Sequence, residues 1–143
     1  MKTKAGKGRP KNVETPELMW KLFEDYIIHT KSNPFLVKDW VGKDGNEIKR
    51  EKEKPLTLQG FENYCRRKVG EVGQYFVNQD KGYTDFLTIC HAIKMEIKQD
   101  QIEGGMAMIY NPSITQRLNG LTENIVQTNI EQPLYKDETK KDE

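Results

Sequence analysis

Lys7, Arg9 and Lys11 alternate with Gly8 and Pro10, a spacing suited to neutralising phosphate. Glycine and proline favour an extended chain. An extended arginine fits a narrow minor groove, where negative potential is focused, while flanking lysines reach the phosphates. A second basic run, Arg66-Arg67-Lys68, either suits the C-terminal end of a helix or clamps a DNA backbone beside a major groove. Beyond it, Gln74 and Asn78 carry carboxamides able to pair with base edges, while Glu71 would repel phosphate. The pattern favours phosphate positioning over strong base readout.

Residues that would support catalysis are sparse. His29 and His91 are the only histidines, and neither forms a metal-ligand spacing with Cys65 or Cys90. His29 falls in the last turn of a helix, where an imidazole suits the dipole. His91 reads as a surface or interface residue. The sequence has no phosphate-cradling G-x-x-x-x-G-K-[ST] and no G-x-S-x-G elbow. Glu62, Glu71, Glu96 and Glu103 are scattered acids without a defined pairing. The expectation is a protein that is not an enzyme, with no metal and no cofactor. The Lys7-Gly-Arg-Pro-Lys11 stretch, by contrast, resembles the core of an AT-hook, whose extended Gly-Arg-Pro lies in the minor groove of A·T-rich DNA.

Composition sets the scale. The chain has 143 residues, of which 35% are hydrophobic and 31% charged. That is enough for one modest domain with a thin core, for which oligomerisation is a natural remedy. No apolar run approaches the ~18 residues that cross a bilayer, and no signal-peptide pattern opens the chain. Two cysteines far apart read as reduced thiols in the cytoplasm. The net charge of +1 is unevenly spread. Residues 1–11 hold Lys2, Lys4, Lys7, Arg9 and Lys11 with no acid, whereas 131–143 are net acidic. Opposite ends of opposite sign suggest two different partners.

The elements that must position these residues follow in order. Residues 1–14 lack a hydrophobic period and read as a disordered basic arm. Thr15-Pro16-Glu17 is a capped helix start, and Leu18, Met19, Leu22, Phe23, Tyr26 and Ile27 form a stripe until Asn33-Pro34. Trp20 lies beside that stripe. Residues 35–54 read as a β-hairpin with one solvated strand, turning at Gly42–Asn46, with Trp40 half-buried. Thr57 caps a second helix with Leu58, Phe61 and Tyr64/Cys65 inward. A turn at Gly70 leads to a short third helix over 71–78, giving a helix-turn-helix outline. Tyr75-Phe76 reads as core rather than a base-stacking platform.

The longest helical pattern covers 83–103. Phe86, Cys90, Ile93 and Ile97 recur every three or four residues, and Ile89, Met95 and Ile102 widen the apolar surface. Such a helix is central or lies at a subunit interface. Gly104-Gly105 read as a break. Asn111-Pro112 then opens a short helix that Asn119-Gly120 ends, with Ile114 and Leu118 on one face. A helix this short must dock on a neighbour, the 83–103 helix of its own subunit or the next. Residues 124–130 alternate polar and β-branched types and read as a short strand.

Taken in order, Gly8-Arg-Pro-Lys11, Thr15-Pro-Glu-Leu-Met-Trp-Lys-Leu-Phe23, Asn33-Pro-Phe35, a charged hairpin and Pro55-Leu-Thr-Leu-Gln-Gly-Phe61 resemble the small terminase subunits of tailed phages and prophages. The long helix with Gly104-Gly105, then Tyr110-Asn-Pro-Ser-Ile-Thr-Gln-Arg-Leu-Asn-Gly-Leu121, extends the resemblance to about residues 8–121. It implies a mainly α fold: a helix-turn-helix-like DNA-binding domain at 15–82 with a hairpin insertion, assembly helices at 83–121, and a C-terminal tail at 122–143. The implied function is recognition of double-stranded viral DNA at a packaging-initiation site by a homo-oligomeric ring in the bacterial cytoplasm. A large ATPase-nuclease subunit is the implied partner, met by the tail. Lys7, Arg9, Lys11, Arg66, Arg67, Lys68, Gln74 and Asn78 become DNA-facing candidates. Phe86, Ile89, Ile93, Ile97, Ile114 and Leu118 become assembly candidates. One departure bears on mechanism: relatives often begin the second motif helix with Ser, Thr or Arg, whereas this chain has Val69-Gly-Glu-Val-Gly73. That favours weak contacts repeated around a ring. A dimeric helix-turn-helix regulator of a phage or prophage is the alternative, and a scaffold that makes only protein contacts is a third reading.

Overall fold

A computed structural model describes residues 10–121. The fold is mainly helical with one antiparallel hairpin. Helix α1 (Pro16–Ser32) begins where its sequence dictates: Thr15 Oγ1 accepts from the Leu18 amide at 3.3 Å, with proline at the first helical position. Asn33 closes it, donating its side-chain amide to the His29 carbonyl at 2.7 Å. Met19, Phe23, Tyr26 and Thr30 face the core. Leu18, expected in the stripe, lies on its exposed flank.

Strands β1 (Phe35–Val41) and β2 (Asn46–Lys52) pair from Phe35↔Lys52 to Val41↔Asn46. The turn needs Gly42 and Gly45, both at positive φ (79° and 63°). The solvated face extends to both strands rather than to β2 alone. Trp40 is 63% exposed, not half-buried, because the hairpin projects without a third layer against it. Cross-strand pairs Asp39–Arg50 and Lys38–Glu47 decorate the ribbon. Exposed pairs of this kind contribute little stability.

Helix α2 (Leu58–Lys68) is capped by Thr57, whose Oγ1 accepts from the Gly60 amide at 3.0 Å, and it buries Phe61 and Cys65. Helix α3 spans Gly73–Val77, shorter than the 71–78 expected. Val72 occupies the cap position and offers no side-chain acceptor, and Asn78 turns left-handed (φ 47°) to stop the helix. A single 3-10 turn (Thr84–Phe86) then leads into α4 (Leu87–Met106), and α5 (Pro112–Leu118) folds back along it.

The core joins all these helices except α5. Val13, Met19, Phe23, Tyr26, Leu56, Phe61, Cys65, Val72, Tyr75, Phe86, Cys90, Ile93 and Ile97 form one cluster. Phe23 meets Phe61 edge-on at 5.3 Å, and Tyr75 meets Phe86 edge-on at 4.8 Å. Residues 83–106 therefore share a core with 15–82 instead of standing apart as a second unit. The expected break at Gly104-Gly105 is absent as well: α4 runs through both glycines to Met106. Their smallness serves packing. A Cβ on Gly104 would collide with the Tyr110 ring, and one on Gly105 would stand 2.8 Å from Thr115 Cγ2. The strand expected at 124–130 lies outside the described residues.

Candidate nucleic-acid interface

Arg66, Arg67 and Lys68 occupy the last turn of α2, and all three are exposed. Their position satisfies the helix dipole and leaves the charged heads in solvent. The turn that follows is tight. The Val69 and Gly70 amides both donate to the Cys65 carbonyl (2.7 and 3.0 Å), and Gly70 adopts φ +124°. Glu71 comes only within 4.0 Å of Arg66, so the arginine is not neutralised by a close pair.

The two carboxamides of the motif differ. Gln74 on α3 is exposed. Asn78 has a structural duty as well: its Oδ1 accepts from the Tyr83 amide at 2.8 Å and holds the 78–83 loop. Its left-handed backbone adds a second structural duty.

Lys11 is exposed, with Nζ 5.5 and 5.3 Å from the ring centres of Tyr83 and Phe86. The residues after it are anchored, which corrects the expectation of a disordered arm reaching residue 14. The Val13 amide donates to Tyr75 Oη at 2.9 Å, and Tyr75 Oη donates back to the Val13 carbonyl at 3.0 Å. Asn12 Nδ2 donates to the Glu71 carbonyl at 2.8 Å. Val13 itself is 2% exposed. Val13, the one branched aliphatic residue of the basic stretch, was the available sequence signal. Lys7 and Arg9 lie outside the described residues.

The assembly candidates divide. Phe86, Ile93 and Ile97 are buried in the subunit's own core, so they are not presented to a neighbour. Ile89 is partly buried against that core. Ile114 and Leu118 do not dock α5 as expected, being 57% and 68% exposed. Thr115 does so instead, seated on Gly105. The outer face of α5 consequently shows apolar side chains to solvent, and Met106, Met108 and Ile109 shortly before it in the chain are exposed as well.

One polar cluster had no sequence signature. Lys31 Nζ donates to Asp100 Oδ1 (2.6 Å), Tyr110 Oη (2.7 Å) and the Lys54 carbonyl (3.1 Å), and lies 2.9 Å from Glu53. Asp100 Oδ2 accepts from the Leu56 amide at 2.8 Å. Burial disfavours the ammonium, but the hydrogen bonds to Asp100, Tyr110 and Glu53 outweigh it and hold the Lys31 pKa above the ordinary lysine value. Burial, with Asp100 and Glu53 nearby, raises the Tyr110 pKa despite the Lys31 contact. A lysine kept protonated is neither base nor nucleophile. The cluster is a strut joining α1, the hairpin exit, α4 and the α4–α5 loop.

His29 and His91 are exposed. Burial pushes the Cys65 thiol up to about 12, with Glu62 adding to it, and Cys90 to about 11 against a small opposing effect of Lys94. Such thiols are poor nucleophiles. Among the described residues, no group of three or more His, Cys, Asp or Glu could hold a metal ion, and no helix is long and apolar enough to cross a membrane. No family model matches the chain, and no curated protein matches it.

Proposed function

We propose that this chain is a small terminase subunit: a non-enzymatic homo-oligomer that binds double-stranded viral DNA and recruits the large ATPase-nuclease. The observation supporting this reading is the tie between Asn12, which adjoins Lys11 in sequence, and the turn that follows the Arg66-Arg67-Lys68 run. Asn12 is bonded to Glu71 and lies directly beneath Gly70, only two residues past Lys68. The chain beside Lys11 is thus held at the turn that begins one residue after the α2 basic run, and Gln74 is exposed on the helix that follows that turn.

The chemistry of these basic residues is electrostatic. Lys7, Arg9, Lys11, Arg66, Arg67 and Lys68 supply phosphate contacts, and Gln74 is the remaining exposed carboxamide of α3. A chain with net charge +1 gains affinity through local charge and repetition across subunits. The uncovered Ile114 and Leu118 support self-association, which would bury them. The order of sequence motifs supports the terminase assignment in particular, with residues 122–143 as the segment that meets the large subunit.

Duplex binding across a salt series tests the reading. The intact protein should bind with an affinity that falls steeply as salt rises, and R66A/R67A/K68A should flatten that dependence. No binding at low salt would overturn the assignment.

A further inference from the structure

We propose that subunits associate head to tail, with Trp40 on the hairpin of one copy seated in a groove between α5 and the hairpin base of the next. The inference rests on the homo-oligomer reading above and deepens it by naming the two unlike surfaces that meet.

The groove gives the exposed face of α5 a companion. Ile109, Ile114 and Leu118 line it together with Phe35 and Pro55, which lie at the two ends of the hairpin segment, around a space of about 320 Å³. That is the low end of the roughly 300–1,000 Å³ typical of ligand pockets, a size that suits one large side chain better than a helix. Phe35, Ile109, Ile114 and Leu118 are all exposed, so the subunit's own core leaves the groove uncovered. Trp40 is the largest exposed apolar side chain among the described residues.

A subunit cannot fill its own groove. Phe35 and Trp40 are five positions apart on β1, which is paired with β2 along its whole length. They therefore point to opposite faces of the ribbon and stand about 17 Å apart along the strand. Anchor and groove are different surfaces, so their union is heterologous. Each copy offers its tryptophan to one neighbour and its groove to the other, and repetition closes a ring where the rotation allows.

Charge and size agree with a second copy as the occupant. Lys38 and Glu47 flank Trp40 on its face as a pair 3.1 Å apart, and Lys52 and Glu53 stand at the groove. Each rim presents both signs to the other. A tryptophan buries about 150–250 Å², whereas a stable pair needs roughly 1,200 Å² in total. One such contact is too small for a durable dimer, but closure of a ring gives every subunit two.

The experiment measures native mass across a concentration series on the full chain. Trp40→Ala and Leu118→Asp should each raise the concentration needed for assembly about tenfold or more, and Trp40→Phe should restore most of the loss. Both positions are exposed, so the thermal melts should not move. Two further variants, Lys49→Cys and Arg117→Cys, keep anchor and groove intact and are read with a short bis-maleimide; the native Cys65 and Cys90 are buried. An equal mixture of the two should link, and neither alone should. Linking within either variant alone would show like surfaces meeting and would overturn the inference, as would a mixture that does not link. Loss of assembly in Leu118→Asp with Trp40→Ala unchanged would overturn it too, giving the groove to another occupant. A wild-type protein that is monomeric at every concentration removes the homo-oligomer reading itself, whereas an assembled Trp40→Ala protein removes only the head-to-tail contact.

Discussion

Gly105 and Thr115 fit together as a hole and its plug: a Cβ on the glycine would lie 2.8 Å from Thr115 Cγ2 and 3.0 Å from its Cβ and Oγ1. This contact, rather than an Ile114–Leu118 stripe, seats α5 on α4. Gly105→Ala should lower stability by about 1–3 kcal/mol in denaturant unfolding, overpacking exceeding the gain in helix propensity. Gly82→Ala is the control, because nothing lies within 4 Å of its added Cβ. Equal stability of the two variants would contradict the fit.

Aspartate separates core from surface on the last two helices. Ile93→Asp places an unpaired charge at a position 0% exposed and should cost about 3 kcal/mol or more, or abolish folding. Ile114→Asp with Leu118→Asp should leave the circular-dichroism melt nearly unchanged and reduce the native mass. An Ile93→Asp protein as stable as the parent would sink the core assignment, and an unaltered mass in the α5 variant would sink the assembly face.

Alkaline pH should destabilise the protein progressively. The folded-state pKa values of Cys65, Cys90 and Lys31 are all raised, so each contribution is present below the unfolded value and is lost as pH rises through the folded one. For the thiols the window opens near 9.0 and closes at about 11 for Cys90 and about 12 for Cys65. For Lys31 it opens near 10.5. Unfolding midpoints at pH 8, 10 and 11 should fall in that order, and Cys65→Ala should remove part of the early decline. A flat profile to pH 11 would refute it.

The same burial predicts slow thiol chemistry. At pH 8 both cysteines should react with a thiol-specific reagent far more slowly in the native protein than in denaturant. Rapid labelling of two thiols per native chain would show the core to be more open than described.

Much of the local structure was legible because local residues cause it. Thr15-Pro16, Thr57 and Asn111-Pro112 cap their helices through bonds three residues long, and the Gly42–Gly45 turn needs only its own φ angles. The errors lie where distant residues decide. Gly104-Gly105 look like a break until Tyr110 and Thr115 arrive to fill the space. The Lys31 strut joins residues 69 and 79 positions apart, with no period to reveal it. Asn78 looks like a base reader from its type and serves as a loop clamp through Tyr83 as well. On the candidate interface, the exposed basic residues of α2 were readable from composition, whereas the anchoring of Val13 by Tyr75 was not.

Native mass spectrometry of the intact protein, alone and with a short duplex, distinguishes a DNA-binding ring from a monomer or dimer. One closed species of many subunits is expected, taking up duplex DNA and losing it as salt rises. A monomer or stable dimer, with or without DNA bound, would contradict it.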